Sequence, residues 1–198
     1  MQACRLTLLA AMLAGSLLRL ASAHATEALE TIQVTATRRG ESTFDVPVAT
    51  AVIDRDEIRA AAPQTVMDAL RGQAGAYVQQ TTPGQAVVIL RGLKGSEVLH
   101  VVDGFRLNNA IFRNAPNQYV ALVDSQSLAR IEAVRGPMAA LYGSDAMGGV
   151  LQMLTWEPRF AGSEWQTRGL LRSIYGSADD STLSRVEGAL GRDRLVLR

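Results

Sequence analysis

The sequence predicts an α+β fold: a small mixed sheet with short helices, followed by the first antiparallel strands of an incomplete outer-membrane-type β-barrel. Three observations predict it. Short β-branched runs alternate with one- or two-turn helical stretches between Val46 and Thr155. After Glu157-Pro158 the apolar pattern becomes a strict two-residue alternation. No segment after the N-terminal run has 18 consecutive apolar residues, so a membrane role requires strands rather than a helix.

The chain begins with an export signal. Positive charge at Met1 to Arg5, an apolar run from Leu6 to Leu18 and the small residues Ala21-Ser22-Ala23 meet the requirements of a signal peptide. Arg19 interrupts the run before it is long enough to span a bilayer. The signal is placed at residues 1–25. Its removal takes away Cys4, the one cysteine, which leaves the mature chain without disulfides or thiolate chemistry. With 198 residues, of which 20 are basic and 19 acidic, the remainder suits one globular domain and carries no basic field for nucleic acid.

Residues 26–43 read as a polar leader. Within it Glu30-Thr31-Ile32-Gln33-Val34-Thr35-Ala36 alternates apolar and polar residues. Such a segment is able to add to a partner's sheet edge, or to serve as an edge strand of the next domain. Val46 to Ile53 is a strand. Asp54 caps a helix from Arg55 to Ala61, ended by Pro63, and Thr65 caps a second through Val66, Ala69 and Leu70. Tyr77 to Gln80 and Ala86 to Leu90 are strands around a Thr-Thr-Pro-Gly turn, and Glu97 to Val102 is another, ending at Asp103-Gly104. Leu107 to Gln118 reads as a long exposed loop. Asp124 to Ala129 is a helical turn, Arg130 to Val134 a strand, Pro137 to Leu141 one helical turn, and Gly148 to Thr155 the last strand. These elements suggest one small sheet, spanning residues 44–158.

The alternation from Glu164 to Tyr175 sets Trp165, Thr167, Gly169, Leu171, Ser173 and Tyr175 on an uncharged face. Glu164, Gln166, Arg168, Leu170, Arg172 and Ile174 form the other. Such a strand, tilted in a barrel wall, rises roughly 25 Å, the height of a lipid-facing band with aromatic girdles. A soluble sheet with a buried apolar face fits the strand equally well. Thr182 to Leu190 repeats the pattern, with Arg185 and Glu187 on one face and Val186 and Leu190 on the other. Arg194 to Arg198 begins a third strand, within a segment bounded at 163–198.

Enzyme chemistry finds little footing. His24 lies at the cleavage site, and His100 lies in an apolar strand where it reads as a packed side chain. No nucleophile elbow, zinc-peptidase motif or phosphate loop is present, and no ligand cluster for a metal. Asp179-Asp180 sit in a polar turn. Arg91-Gly92 and Arg135-Gly136-Pro137 each place an arginine at a strand end, a position that is costly to bury without a carboxylate.

The run Arg130 to Pro137, then Ala140-Leu141-Tyr142-Gly143-Ser144-Asp145-Ala146 and Gly148-Gly149-Val150, resembles the plug domain of TonB-dependent outer-membrane receptors. Ile89-Leu90-Arg91-Gly92 and Val101-Val102-Asp103-Gly104 with Arg106-Leu107-Asn108 are similar to its inner strands. Glu30 to Ala36 resembles its TonB box. The resemblance implies a plug that fills a barrel lumen and a non-enzymatic role in uptake of a scarce ligand. That ligand is a ferric siderophore, haem or cobalamin, bound at the outer face. It implies TonB, with ExbB and ExbD, pairing with Glu30, Thr31, Ile32, Gln33, Val34, Thr35 and Ala36 as an added strand. It implies barrel glutamates for Arg91 and Arg135, and ligand contacts among Asn108, Asn109, Arg113, Asn114, Asn117, Gln118 and Tyr119. Outer-membrane lipid is the expected surrounding of the barrel, and no resident cofactor is implied. The family barrel has about 22 strands, so a chain ending in a third strand reads as a truncated receptor. A free-standing periplasmic binding or signalling module on the same fold is the alternative.

Overall fold

The computed structural model describes residues 32–33, 41–42, 47–178, 180–193 and 195–197. The signal segment lies outside them. Of the leader, β1 (Ile32–Gln33) pairs antiparallel with β2 (Glu41–Ser42).

The α+β domain is built on a five-stranded mixed sheet. Its strands are β3 (Ala49–Asp54), β7 (Val98–Val102), β8 (Phe105–Arg106), β9 (Leu128–Arg135) and β10 (Gly149–Thr155), in the order β3-β9-β10-β7-β8. Only the β10–β7 contact is parallel. A second, antiparallel sheet joins β4 (Ala76–Thr82), β5 (Gln85–Leu90) and β6 (Leu93–Lys94). The sequence suggests one sheet; the structure divides it into two. Gly92, with φ +83°, lets β6 turn back on β5 instead of continuing to the main sheet.

Helix α1 (Arg55–Ala61) has the expected bounds. Asp54 accepts from the Glu57 N–H at 2.8 Å, and the Glu57 carboxylate accepts from the Asp54 N–H at 3.2 Å, a reciprocal capping box. Helix α2 (Val66–Ala69) is a single turn begun at Thr65, and α3 (Ala139–Tyr142) starts two residues after Pro137. Ser125–Ser127 is a 3₁₀ turn capped by Asp124.

The main sheet is covered on both faces, which is why its strands read as apolar runs. One face packs Ile53, Ile131, Leu151, Met153 and Val98 against Ile58, Met67 and Leu70 of the helices and Val88 and Leu90 of the second sheet. The other packs Leu99, Val101, Val134 and Val150 under Tyr142 and Ala146. Each fully buried Leu or Ile contributes about 2 kcal/mol.

Beyond residue 158 the architecture changes. β11 (Gln166–Gly176), β12 (Ser181–Arg192) and β13 (Leu195–Leu197) form a separate antiparallel sheet, with eleven paired positions from Gln166↔Gly191 to Gly176↔Ser181. No helix among the described residues is long and apolar enough to cross a membrane, which says nothing of a strand-built barrel.

Candidate functional site

The two faces of the β11–β12 hairpin have different surroundings. On one face Leu171 and Val186, directly paired, are each 79% exposed, and Trp165, Tyr175 and Leu190 are also exposed. The alternate face turns its charges onto the α+β domain. Arg172 donates to the Gln126 Oε1 at 2.7 Å and to the Arg59 carbonyl. Arg185 pairs with Asp124 and with Glu187, and Glu187 in turn reaches Arg55 at 3.4 Å. Arg55 also lies over the Trp156 ring, 4.1 Å from its centroid. Burial, then the charge of Arg59, lowers the Arg55 pKa from its usual value, with Glu187 opposing.

Arg172 and Arg185 are direct cross-strand neighbours. Like charges at such a position repel, so acceptors from the α+β domain and Glu187 are what make the pairing tolerable. The inward face is therefore complementary to this domain, while among the described residues of β11 and β12 the outward face is charged only at its end, where Arg192 lies over the Trp165 ring, 5.0 Å from its centroid.

The two strand-end arginines come to one end of the domain. Arg135 donates from Nε to the Ala49 carbonyl at 3.3 Å and from Nη1 to the Ala74 carbonyl. Arg91 adopts φ +50°, and its guanidinium stands beside Gly136, where an added Cβ would meet Nη1 at 3.5 Å. Neither arginine has an ion pair with a described carboxylate.

The loop residues fall into two groups. Asn108 accepts from the His100 N–H at 3.0 Å and lies 3.1 Å from its Nδ1, while its Nδ2 donates to the Val98 carbonyl. Asn114 accepts from the Ser96 N–H and hydroxyl, each at 2.7 Å. Asn117 is 2% exposed and exchanges both backbone hydrogen bonds with Ala86 at 3.0 Å. Tyr119 stacks on Phe112. Asn109, Arg113 and Gln118 are exposed. The Ala86–Asn117 bridge sets this loop beside the Thr82–Gln85 turn, so the long loop and the Thr-Thr-Pro-Gly turn read from the sequence are neighbours. The loop is less exposed than the sequence suggests, because Phe112 and Asn117 are buried within it. Gly95 permits a close approach: φ is +60°, and a Cβ there would lie 2.4 Å from the Asn114 Cα.

His100 is 1% exposed and packed, as the sequence reading has it. Burial pushes its pKa down to about 4, against the opposing pull of Asn108 and the Val98 backbone. Among the described residues no cluster of His, Cys, Asp or Glu is placed to hold a metal ion. Of the strand-addition segment, Ile32 and Gln33 have a described backbone; Glu30, Thr31, Val34, Thr35 and Ala36 lie outside the described residues. Sequence reasoning missed the inward contacts of Arg55, Asp124 and Gln126, whose partners are distant in the chain; the alternation of β11 and β12 was the available signal.

The class these features define is an α+β plug domain joined to strands of the membrane-wall type. The chain belongs to the TonB-dependent Receptor Plug Domain family, which it matches over residues 42–150. It is similar to the vitamin B12 transporter BtuB of Vibrio vulnificus, 33% identical over 182 residues, covering 90% of this chain and 28% of that protein. It is also similar to the iron-regulated outer membrane virulence protein of Vibrio cholerae, 35% identical over 138 residues, covering 66% of this chain and 21% of that protein. In fold it is like the copper transporter OprC, with a TM-score of 0.58 at 20% identity over 72% of this chain and 21% of that one. A ferric enterobactin receptor mutant from Pseudomonas aeruginosa, in complex with enterobactin, gives 0.52 at 22% identity, with 72% and 22% coverage. The chain spans about a quarter of the length of the curated relatives it matches. The match to a receptor plug domain and to a vitamin B12 transporter supports a non-enzymatic role.

Proposed function

We propose that this chain supplies the plug and first wall strands of an outer-membrane receptor that takes up a scarce metal chelate with energy delivered through TonB. The observation that carries the reading is the two-faced β11–β12 hairpin. Its charged face is paired to the plug, and its other face, uncharged between Trp165 near one end and Tyr175 near the other and charged only at Arg192 beside Trp165, suits lipid. In this reading residues 1–25 direct export, 26–43 form the leader, 44–158 the plug and 163–198 the first wall strands.

The candidate residues then divide by role, with Asn108, Asn114, Asn117 and Tyr119 shaping the loop that presents the others to the ligand. Glu30 to Ala36 adds as a strand to TonB, which acts with ExbB and ExbD. Arg91 and Arg135, at one end of the plug and without described carboxylate partners, pair with acidic residues of the barrel wall. Asn109, Arg113 and Gln118 offer exposed polar groups to the ligand, beside the Thr82–Gln85 turn. A ferric siderophore is the first choice of ligand, with haem and cobalamin as the other members of the class. The names of the relatives include both vitamin B12 and iron.

The test is accumulation of labelled ferric siderophore, haem and cobalamin by receptor-deficient cells expressing the gene, with and without TonB. One of the three is expected to accumulate, and only when TonB is present. Recovery of the protein from the soluble periplasm, or uptake indifferent to TonB, would overturn the reading.

A further inference from the structure

We propose that His100 is the positioning residue of the loop at 107–119: an acid-sensitive latch that holds Asn109, Arg113 and Gln118 in a preformed outward array. That the array meets a ligand rests on the uptake reading above; the latch itself does not.

His100 is buried on β7, a central strand of the main sheet. The Asn108 Nδ2 donates to the Val98 carbonyl at 2.9 Å, which turns its Oδ1 toward His100. That oxygen receives the His100 backbone N–H at 3.0 Å and faces Nδ1 at 3.1 Å, so Nδ1 carries the ring proton. Nε2 is then a bare acceptor, buried and without a partner. The Phe112 ring packs 5.3 Å from the imidazole, and Tyr119 packs 5.3 Å from Phe112. Around this column the chain is tied at both ends: the Leu107 N–H donates to the His100 carbonyl at 2.9 Å, and Asn117 pairs with Ala86. The imidazole thus lies against Asn108 and, through Phe112, supports Tyr119.

A second proton on Nε2 would leave a buried cation with no acceptor. Among the described residues no charged side chain compensates it. The residue opposite on β10 is Leu151, Arg106 on β8 turns to Asp145 at 2.7 Å, and Arg113 on the loop is exposed. Neither a carboxylate nor a cation figures among the influences on the ring. The closed loop therefore requires the neutral imidazole, and opening returns the ring to water, where its ordinary pKa of 6.5 applies. The sign follows: protons favour the open loop, beginning below the ordinary value and levelling off near the depressed one. Between neutral pH and pH ~4, opening gains on the order of a hundredfold.

The test is hydrogen–deuterium exchange on the full-length protein in detergent micelles, from pH 7 to pH 3, corrected for the intrinsic pH dependence of exchange. The amides of Leu107, Phe112 and Asn117 read the loop, and those of β10 serve as reference. Loop protection is expected to fall on the order of a hundredfold on acidification, while β10 holds. His100→Gln keeps a donor for Asn108 without titrating and is expected to be flat with pH. His100→Phe, which keeps the ring stack, serves the same comparison if the first variant does not fold. A flat wild-type profile, or the same acid loss in the variant, overturns the proposal.

Discussion

The amide of Asn108 accepts from the His100 backbone, faces its imidazole and donates to the Val98 carbonyl. Little of its capacity is left for a ligand. Asn114 and Asn117 are engaged in the same way, with Ser96 and with Ala115 and Tyr119. Asn108→Ala is expected to lower plug stability by about 2–3 kcal/mol, because it orphans a buried imidazole and two backbone groups. Asn109→Ala is expected to change it by less than about 0.5 kcal/mol; denaturant midpoints compare the two. A run of asparagines is visible in the sequence, but which of them turn inward is not, since the side-chain partners of Asn108 and Asn114 lie 8 to 18 residues away.

At the scale of elements, local chemistry was the most legible. Asp54 and Glu57 cap α1 through groups three residues apart, so its bounds followed from the sequence. The two-residue strands β6 and β8 were not foreseen, since so short a segment becomes a strand only by pairing with β5 or β7. The β11–β12 alternation was legible as two faces, and the structure decides which surface each face meets. Leu171→Arg, on the outward face, is expected to cost about 2–4 kcal/mol of barrel stability if that face meets the bilayer midplane, and to reduce outer-membrane recovery in cell fractionation. Ser96→Ala, on the plug surface, is expected to leave that recovery unchanged.

At the scale of the whole molecule, the plug and hairpin are joined by charges rather than by a continuous apolar core. Arg55, Asp124 and Gln126 face Arg172, Arg185 and Glu187 across the join. Such a contact ties the plug to its wall without requiring the deep burial that would make the two inseparable. If TonB acts on the leader, deletion of residues 30–36 is expected to abolish accumulation while leaving ligand binding at the cell surface intact; surface binding and uptake of labelled ligand separate the two. The sequence by itself determined the α+β class, the family and the two-faced hairpin, because helix caps, glycine turns and period-two alternation are written in neighbouring residues. Only the tertiary structure decided that there are two sheets in the plug, that Arg172 and Arg185 stand opposite each other and are relieved by the plug, and that His100 lies beneath the outward loop. Each depends on which distant groups meet once the chain has folded, and a hydrogen bond or an ion pair leaves no periodic trace in the sequence.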